Sequence, residues 1–196
     1  MPVNRSVPDV AQKRKDWNGL ISGFKASYLV FLYESGCNTD MTRRYAYSLG
    51  GSRAVDSAPL SKPKNTTILS SIQLDGTLHY TTFSGGTTVE RFKRYLETDL
   101  LPHLNGNSVL IMDNMKSHHA KAVKNLLDSS GIRYIYLPPY SPDLNPIEKL
   151  WSKVKSFLRK FKARTLDALP NAIQNAFHSV TVSDCSGWFR FCGYAL

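Results

Sequence analysis

Runs of apolar residues predict β-strands in the first half of the chain. The run YLVFLYE, which starts at Tyr28, is short and rich in β-forming residues, and it predicts a central strand that breaks at Ser35 and Gly36. The segment NTTILSSIQLDGTLHYTTFSGG predicts a hairpin, because its two β-rich runs meet at Asp75-Gly76, a dipeptide suited to the positive φ angles of a tight turn. Three antiparallel strands in succession are therefore expected.

A polar segment separates the first strand from this hairpin. Its beginning, TDMTRRYAYSLGG, predicts a turn and a short strand that carries Arg43 and Arg44, and a polar loop continues from there to Pro63. The chain before the first strand is also polar and charged. Residues 1–27 are therefore predicted to be an arm or linker with a short helix at most, and residues 28–196 to be the folded domain.

Helices and buried strands alternate in the second half of the chain. The segment TTVERFKRYLETDLLPHL predicts a helix, and SVLIMDN and IRYIYLP predict buried strands on either side of a helix that Gly131 stops. A strand, a helix and a strand at this spacing form a parallel crossover. A helix from about Pro146 to Lys162 and the further helical segment TLDALPNAIQNAFHSV follow. The prediction is an α/β fold with a mixed five-stranded sheet, three antiparallel then two parallel strands flanked by helices, which is the order of the ribonuclease H-like fold.

Composition and charge narrow the range of functions. The chain has 196 residues, of which 42% are hydrophobic, and this is enough for one α/β domain with a full core. Lys and Arg number 25 against 15 Asp and Glu, and the net charge of +10 favours a polyanionic partner such as nucleic acid. The alternative is a basic protein whose surface charges are scattered.

The cysteines and the apolar runs indicate in which cellular compartment the protein is expected. Three cysteines without a CxxC pair favour neither a disulfide framework nor a zinc site, and they fit a reducing cytoplasm. No apolar run reaches the length of a membrane span, and the N-terminus has no apolar signal core. We therefore expect a cytoplasmic protein without a membrane partner.

Asp113 stands where the predicted strand SVLIM ends. Ligands of open α/β sheets gather beyond the carboxyl ends of the strands, so this position favours a role in chemistry. The alternative is an aspartate that only turns the chain or caps the next helix.

Glu148 lies in YLPPYSPDLNPIEKLW, where four prolines precede a helix. Asn145 can be the N-cap and Pro146 the first helical residue, so a capping box from Glu148 back to Asn145 would explain the glutamate by itself. The prolines, however, fix this helix start more firmly than capping requires. Two fixed carboxylates, Asp113 and Glu148, suit Mg²⁺ or Mn²⁺ and a phosphoryl-transfer reaction.

The helix that follows Glu148 is basic on two faces. At 100° per residue, Glu148 shares one face with Lys155, Arg159 and Lys162. A second stripe contains Lys149, Lys153, Lys160 and Arg164. Residues 149–164 include seven Lys or Arg and no Asp or Glu, which favours contact with a phosphate backbone over an ordinary solvated face.

These residues together resemble a known family. VLIMDNMKSHH followed by IRYIYLPPYSPDLNPIEKLWSKVKSFLR resembles the second and third acidic motifs of the IS630 and Tc1-mariner group of DDE transposases, and the 34 residues between Asp113 and Glu148 match the spacing of that group. The resemblance extends from about Leu29 to Tyr194. His118 also falls on a position of the family motif, five residues after Asp113.

The resemblance implies a ribonuclease H-like catalytic domain that uses two divalent metal ions, Mg²⁺ or Mn²⁺. Water and then a DNA 3′-hydroxyl would attack phosphodiesters of double-stranded DNA, in DNA cleavage, integration and recombination. Asp113 and Glu148 would be metal ligands. His118 would order the site or contact DNA, and a purely structural histidine is the alternative. The basic residues expected to bind DNA are Arg43, Arg44, His118, Lys153, Lys155, Arg159 and Lys162.

The sequence departs from the family at the first acidic position. The family has Asp then Glu before Ser-Gly, whereas this chain has Tyr33 then Glu34. A phenol with a pKa of about 10 is neutral at pH 7 and is a poor ligand for a hard cation. Glu34 would replace the missing aspartate only through a bulge or a twisted strand end, because successive strand residues point to opposite faces. We therefore expect little or no strand transfer, and a non-catalytic nucleic-acid-binding remnant is the alternative function.

A second departure concerns the N-terminus. The helix-turn-helix region that the family places before the catalytic domain is absent from the residues before the first strand. We expect a fragment or one product of a split gene, with a separate chain supplying that region. The expected assembly is a homodimer on transposon ends and target DNA in a prokaryotic, nucleoid-associated setting. A ribonuclease H-like nuclease acting outside transposition is a weaker alternative.

Overall fold

The structure, a computed structural model, describes residues 8–43, 45–57 and 63–195. Its strands are β1 (Leu29–Asn38), β2 (Asn65–Ile72), β3 (Leu78–Ser84), β4 (Val109–Met112) and β5 (Arg133–Tyr136). Its longer helices are α1 (Pro8–Ile21), α2 (Val89–Tyr95), α3 (Lys121–Ser130), α4 (Ile147–Phe161), α5 (Ala168–His178) and α6 (Val182–Phe191). Short helical turns cover Ala26–Tyr28, Leu96–Leu100, Leu101–His103, Lys116–His119 and Pro142–Leu144.

All five strands belong to one mixed sheet in the order β3-β2-β1-β4-β5. β1, β2 and β3 pair antiparallel, and β4 and β5 continue the sheet as parallel strands beside β1. The expected arrangement of three antiparallel and two parallel strands is confirmed. Because β1 is central, its neighbours on both sides hold its backbone in register.

The first strand is longer than its sequence suggests. β1 continues through Ser35 and Gly36, which pair with Ile68 and Thr67 of β2, and it ends only at Asn38. The predicted break at Ser35-Gly36 is wrong, because ladder pairing to β2 outweighs the low β-propensity of serine and glycine.

The β2–β3 hairpin turns where it was expected. Gly76 has a φ of 90°, a conformation that a residue without a Cβ adopts without strain, and its N–H donates to the carbonyl of Gln73 (3.2 Å). The Asp75 carboxylate accepts from the N–H of Thr77 (2.9 Å), which fixes the turn further. The hairpin prediction is confirmed.

No strand forms in the described residues of the β1–β2 connection, 39–43, 45–57 and 63–64. The short strand predicted to carry Arg43 is therefore wrong. Met41 packs against the core, but Tyr45, Tyr47 and Val55 are all more than 80% exposed, so the part of the segment after Arg44 has no apolar face that could stabilise a strand against the sheet. Arg44 lies outside the described residues.

Helices cover both faces of the sheet. One face packs against α1, α4, α5 and α6 through residues such as Phe31, Ile111, Trp151 and Phe189. The other face packs against α2 and α3 through residues that include Leu32 and Phe92. Alternate residues of β1 serve the two layers, which explains its continuous apolar run. None of the described helices is long and apolar enough to cross a membrane.

The N-terminal segment is more ordered than expected. Residues Pro8–Ile21 form a 14-residue helix, so the prediction of a short helix at most is wrong. Val10, Trp17 and Ile21 recur at helical spacing, and Trp17 is only 3% exposed within the core that contains α4. Burial of this stripe is what stabilises a segment whose charged residues resemble those of a linker.

Candidate active site

Asp113 is the first residue beyond β4, where the chain leaves the sheet. Its Oδ1 atom accepts a hydrogen bond from the N–H of Met115 (3.1 Å) and lies 2.8 Å from Nδ1 of His118. The other oxygen, Oδ2, has no hydrogen-bond partner in the described part of the chain. Asp113 therefore turns the chain, as the alternative interpretation held, and one of its carboxylate oxygens is left without a partner among the described residues.

His118 supports Asp113 from the interior. Its ring is fully buried and stacks on Phe92 at a centroid distance of 4.0 Å, and the hydroxyl of Tyr136 donates to its backbone carbonyl (3.1 Å). A buried ring does not reach a DNA backbone in this conformation, so the expected DNA contact of His118 is not what the structure displays. Its contact with Asp113 fits the other expectation, that His118 orders the site.

Glu148 enters the site at the start of α4. Asn145 has an extended backbone and Pro146 a helical one, so the helix begins where the sequence predicts. The backbone N–H of Glu148 donates to the carbonyl of Asn145 (3.1 Å), but no side-chain cap forms. The capping-box explanation of Glu148 is therefore wrong, and its carboxylate is left for another role.

The loop between β5 and α4 is tied down along its length. Asn114 donates to the carbonyl of Leu137 (2.6 Å), and the hydroxyl of Tyr194 donates to the carbonyl of Leu144 (2.5 Å). Arg14 of α1 donates to both carboxylate oxygens of Asp143 (3.2 and 2.6 Å) and to the Ser141 hydroxyl (2.6 Å). These contacts, together with the prolines, fix the position from which Glu148 projects.

Tyr33 meets both carboxylates in one cavity. Leu32 of β1 pairs with Met112 of β4, so the residues that follow them, Tyr33 and Asp113, lie beside each other at this edge of the sheet. Tyr33, Asp113 and Glu148 line a cavity of about 420 Å³ together with residues of the proline-rich loop before α4. The structure thus brings together three of the four predicted catalytic positions.

The phenol of Tyr33 is neutral in this environment. Burial, and then the negative charges of Asp113, Glu148 and Glu34, raise the pKa of Tyr33 to about 12. The side chain can donate a hydrogen bond at pH 7, but it adds no negative charge to the cavity.

Glu34 lies on the other face of the sheet. Its carboxylate accepts a hydrogen bond from the hydroxyl of Thr87, and it is not among the residues that line the cavity. The register of β1 against β2 runs without interruption from Phe31 to Asn38, so no bulge turns Glu34 toward Asp113. The strand alternation expected from the sequence is what separates Glu34 from the other carboxylates.

The charge of Glu148 is partly destabilised. Burial raises the pKa of Glu148, the ammonium group of Lys155 acts in the opposite direction, and the nearby charge of Asp113 raises it further. Two carboxylates in one cavity repel each other, and a bound cation would relieve that repulsion.

The donor set of the cavity suits a hard cation only in part. Asp113 and Glu148 offer carboxylate oxygens of the kind that Mg²⁺ and Mn²⁺ prefer. Within residues 8–43, 45–57 and 63–195, no group of three or more His, Cys, Asp or Glu is arranged to hold a metal ion. The two carboxylates fit one cation, and the third position carries the neutral phenol of Tyr33.

A basic surface borders the cavity along α4. Arg159 and Arg43 line a common groove beside the β1–β2 connection, and Lys155 is close enough to Glu148 to influence its pKa. Lys162, in contrast, pairs with Asp56 (2.5 Å) and Lys153 pairs with Asp184 of α6 (2.6 Å). Among the predicted DNA-binding residues of this surface that the structure describes, Arg43, Lys155 and Arg159 form no ion pair with a described residue. Lys153 and Lys162 are already paired with carboxylates.

Sequence reasoning missed the residues that position the loop, Arg14 above all. Arg14 stands in a basic run whose composition predicts an arm or linker. The signal that could have found it is its place on the same helical stripe as Val10, Trp17 and Ile21. Asn114 and Tyr194 act through backbone carbonyls, for which the sequence carries no signal.

Comparison with known proteins relates this arrangement to a family. The family model described as "DDE superfamily endonuclease" matches residues 28–170. The transposable element Tc1 transposase of Caenorhabditis elegans is 28% identical over 97 residues, which cover 47% of this chain and 36% of the relative. The chain thus spans about a third of the length of this curated relative.

Solved structures share the fold. The Mos1 mariner paired end complex with Mn has a TM-score of 0.80 and 18% identity, over 97% of this chain and 61% of that chain. The catalytic domain of Mos1 mariner transposase has a TM-score of 0.74 and 16% identity, over 97% of this chain and 91% of that chain. The expected ribonuclease H-like fold is confirmed by these similarities.

Proposed function

Because this chain belongs to the DDE superfamily endonucleases and has the fold of a Tc1-mariner transposase catalytic domain, we propose that it acts on DNA phosphodiesters as the catalytic domain of an IS630-type transposase. One observation carries the proposal. Asp113 from the end of β4 and Glu148 from the start of α4 line the same cavity, although 34 residues separate them in sequence.

Asp113 and Glu148 would hold a Mg²⁺ or Mn²⁺ ion, since they are the two carboxylates of the cavity. When bound, the cation would stabilise the negative charge that develops on a phosphodiester under attack by water or a DNA 3′-hydroxyl. Mos1 paired end complexes of similar fold have been solved with Mn and with Mg, which supports a divalent cation. His118 would keep Asp113 Oδ1 occupied, so that Oδ2 faces the ion.

Double-stranded DNA would approach along the basic surface of α4. Lys155 and Arg159 lie on the same face of α4 as Glu148, and Arg43 lines a groove together with Arg159. Phosphate contacts of this kind position a duplex without reading its sequence. The scissile phosphodiester would then lie at the cavity edge beside Glu148.

Tyr33 limits the activity in this proposal. A two-metal site needs enough negative charge for two cations, and Tyr33 leaves the cavity with two carboxylates. Loss of one charged ligand should cost several kcal/mol of transition-state stabilisation, so strand transfer should be slow or absent. This observation also favours the second candidate function, a non-catalytic DNA-binding remnant.

The two candidates separate in a plasmid-nicking assay with Mn²⁺. Nicking that Asp113→Ala abolishes supports the transposase. DNA binding that weakens with salt, without nicking in wild type or in Tyr33→Asp, supports the remnant. Nicking that survives Asp113→Ala contradicts the proposed site. Nicking that needs no transposon end would instead favour a nuclease that acts outside transposition.

The wider assembly stays a prediction. A separate chain with a helix-turn-helix region, a homodimer on DNA and a prokaryotic cytoplasmic setting are part of the proposal. The assignment of residues 1–27 to a linker and 28–196 to the catalytic domain belongs to it too, although α1 packs on that domain through Trp17. Co-purification with transposon-end DNA and light scattering of the complex would test the assembly.

A further inference from the structure

Asn145 is a buried asparagine at the edge of the candidate active site. It is only 3% exposed, and it lines the cavity that contains Asp113 and Glu148. Its backbone is extended (φ −115°, ψ 101°), and its carbonyl accepts a hydrogen bond from the N–H of Glu148 (3.1 Å). Asn145 and Glu148 therefore reach the cavity from the same helix start.

The side chain of Asn145 does not cap the helix. The sequence favours Asn145 as the N-cap of α4, but no side-chain cap bond forms at this helix start. The amide oxygen Oδ1 is buried without a hydrogen-bond partner in the described part of the chain, and the amide nitrogen Nδ2 donates to no described group. A buried amide without partners destabilises the folded chain. A ligand of this amide would offset that cost.

The two ends of the amide differ in their surroundings. Oδ1 is fully enclosed by the protein, whereas Nδ2 is not. Because Asn145 lines the cavity, Nδ2 is the end of the amide that a ligand in the cavity can reach. An amide N–H is a hydrogen-bond donor that carries no charge. The ligand that fits it is therefore a hydrogen-bond acceptor.

A phosphodiester is the acceptor that this cavity would hold. In the proposed function the scissile phosphodiester lies beside Glu148, and Asn145 is three residues before Glu148 and bonded to it through the backbone. The ionised carboxylates of Asp113 and Glu148 are acceptors only, so they cannot donate to a phosphate oxygen. An N–H donor in the same cavity can do so, and it does not compete for a cation.

We propose that Asn145 is a further catalytic residue, whose Nδ2–H donates a hydrogen bond to a nonbridging oxygen of the scissile phosphodiester. The inference rests on the proposed function, because it assumes that the phosphodiester lies in this cavity. The hydrogen bond strengthens as negative charge develops on that oxygen during attack by water or a DNA 3′-hydroxyl. Asn145 thus acts on the phosphate, whereas Asp113 and Glu148 act on the cation.

A change at one phosphate tests this contact without cleavage. Nicks that Tyr33→Asp makes in plasmid DNA are mapped, and a short duplex around one nick is synthesised with either a phosphate or a neutral methylphosphonate at that position. The full chain binds each duplex in EDTA, and the ratio of the two affinities measures recognition of the charged phosphate. This ratio should be at least about tenfold higher in wild type than in Asn145→Leu, because hydrogen bonds to charged groups are the stronger ones. Asn145→Asp keeps the shape of the side chain but replaces the donor with an acceptor, so it should lower the ratio further and decides the test if Asn145→Leu does not fold.

The outcomes separate this inference from the proposed function. If Tyr33→Asp nicks the plasmid but Asn145→Leu and Asn145→Asp keep the wild-type ratio, the inference is overturned and the proposed function stands. If Tyr33→Asp makes no nick, the proposed function is contradicted and the inference with it. In the Tyr33→Asp background, Asn145→Leu should also slow nicking by about 10²- to 10³-fold, the usual loss for one donor to the transition state. An unchanged nicking rate in that double variant would overturn the inference as well.

The melting temperature distinguishes a catalytic amide from a structural one. Asn114 is the matched control, because it lines the same cavity but its Nδ2 donates to the carbonyl of Leu137 (2.6 Å). Asn114→Leu should lower the melting temperature by about 2–4 °C, since it breaks that hydrogen bond. Asn145→Leu breaks no hydrogen bond with a described residue and should not lower it. A fall in Asn145→Leu as large as that in Asn114→Leu would make Asn145 a structural residue and overturn the inference.

Discussion

The two walls of the candidate active site differ in the negative charge that their side chains carry. One wall, which we call the loop wall, is formed by Asp113 in the loop after β4 and by Glu148, which follows the proline-rich loop before α4. Arg14, Asn114 and Tyr194 hold the proline-rich loop through hydrogen bonds. The strand wall is β1, which pairs with β4 as far as Leu32 and with β2 through Tyr33 and beyond, so its backbone is held in register up to the cavity. Only the loop wall supplies charge.

At the strand wall a side chain is in position but carries no charge. Tyr33 projects into the cavity from the place next to Asp113, so the strand wall still presents a side chain where a third ligand would stand. Burial, and then the neighbouring carboxylates, raise the pKa of the Tyr33 phenol to about 12. In the proposed site, β1 would therefore present a third ligand at the position of Tyr33, and the neutral phenol supplies no negative charge there.

The largest expected effect comes from restoring charge to the strand wall. Tyr33→Asp should raise Mn²⁺ affinity at least tenfold, about 1.4 kcal/mol, because a third carboxylate then faces the cation. Plasmid nicking should rise about a hundredfold or more, since several kcal/mol of transition-state stabilisation are at stake. Mn²⁺ titration by electron paramagnetic resonance and a nicking time course measure the two quantities.

The matched controls for this change are Tyr33→Phe and Glu34→Gln. Tyr33→Phe removes the hydroxyl without adding charge, and Glu34 bonds to Thr87 on the opposite face, so neither change should raise Mn²⁺ affinity. If Tyr33→Asp behaves like Tyr33→Phe, the tyrosine is not what limits the site.

The next effect tests the support behind the loop wall. His118→Phe keeps an aromatic ring against Phe92 but removes the nitrogen 2.8 Å from Asp113 Oδ1. Loss of a group that orients a metal ligand commonly costs about 10- to 100-fold in metal affinity, and we expect a loss in this range. The affinity is best measured in the Tyr33→Asp background, where binding is stronger. An unchanged affinity there, with the fold intact by circular dichroism, would make His118 a structural residue only.

Arg14 should have a smaller effect that combines stability and site geometry. Arg14→Ala removes the two hydrogen bonds to the carboxylate of Asp143 and the hydrogen bond to Ser141. Because Arg14 and Asp143 are both partly exposed, the free energy of unfolding should fall by only about 1–2 kcal/mol. For a chain of this size the melting temperature should fall by about 2–8 °C. Lys15→Ala, at an exposed position of the same helix, is the control and should change little. Equal shifts in the two variants would exclude a specific role for Arg14.

The sequence predicted the fold and the acidic positions better than their supports. Buried runs and the Asp75-Gly76 turn predict the strands because their signals are local, and the helix-start signal Asn145-Pro146 places Glu148 at the start of α4. The contacts of Arg14 with Asp143 and of Tyr194 with Leu144 join residues far apart in sequence. Nothing in local propensity encodes such pairs. The extension of β1 past Gly36 was missed for the same reason, because the pairing partner decides it.

The smallest effect concerns the charge of Glu148 in the metal-free protein. Burial first and the charge of Asp113 as well raise the pKa of Glu148, against the influence of Lys155. The contribution of Glu148 to the free energy of unfolding is therefore complete below the pKa that the residue has in the unfolded chain. This contribution is lost as the pH rises through the pKa that the residue has in the folded protein. Glu148→Gln has no such loss, so in EDTA its melting temperature should exceed that of wild type at pH 7, and the difference should disappear near pH 4. With saturating Mn²⁺ at pH 7, wild type should instead have the higher melting temperature, because only the carboxylate binds the cation. If Glu148→Gln remains the more stable protein with Mn²⁺, Glu148 is not one of the metal ligands of the loop wall.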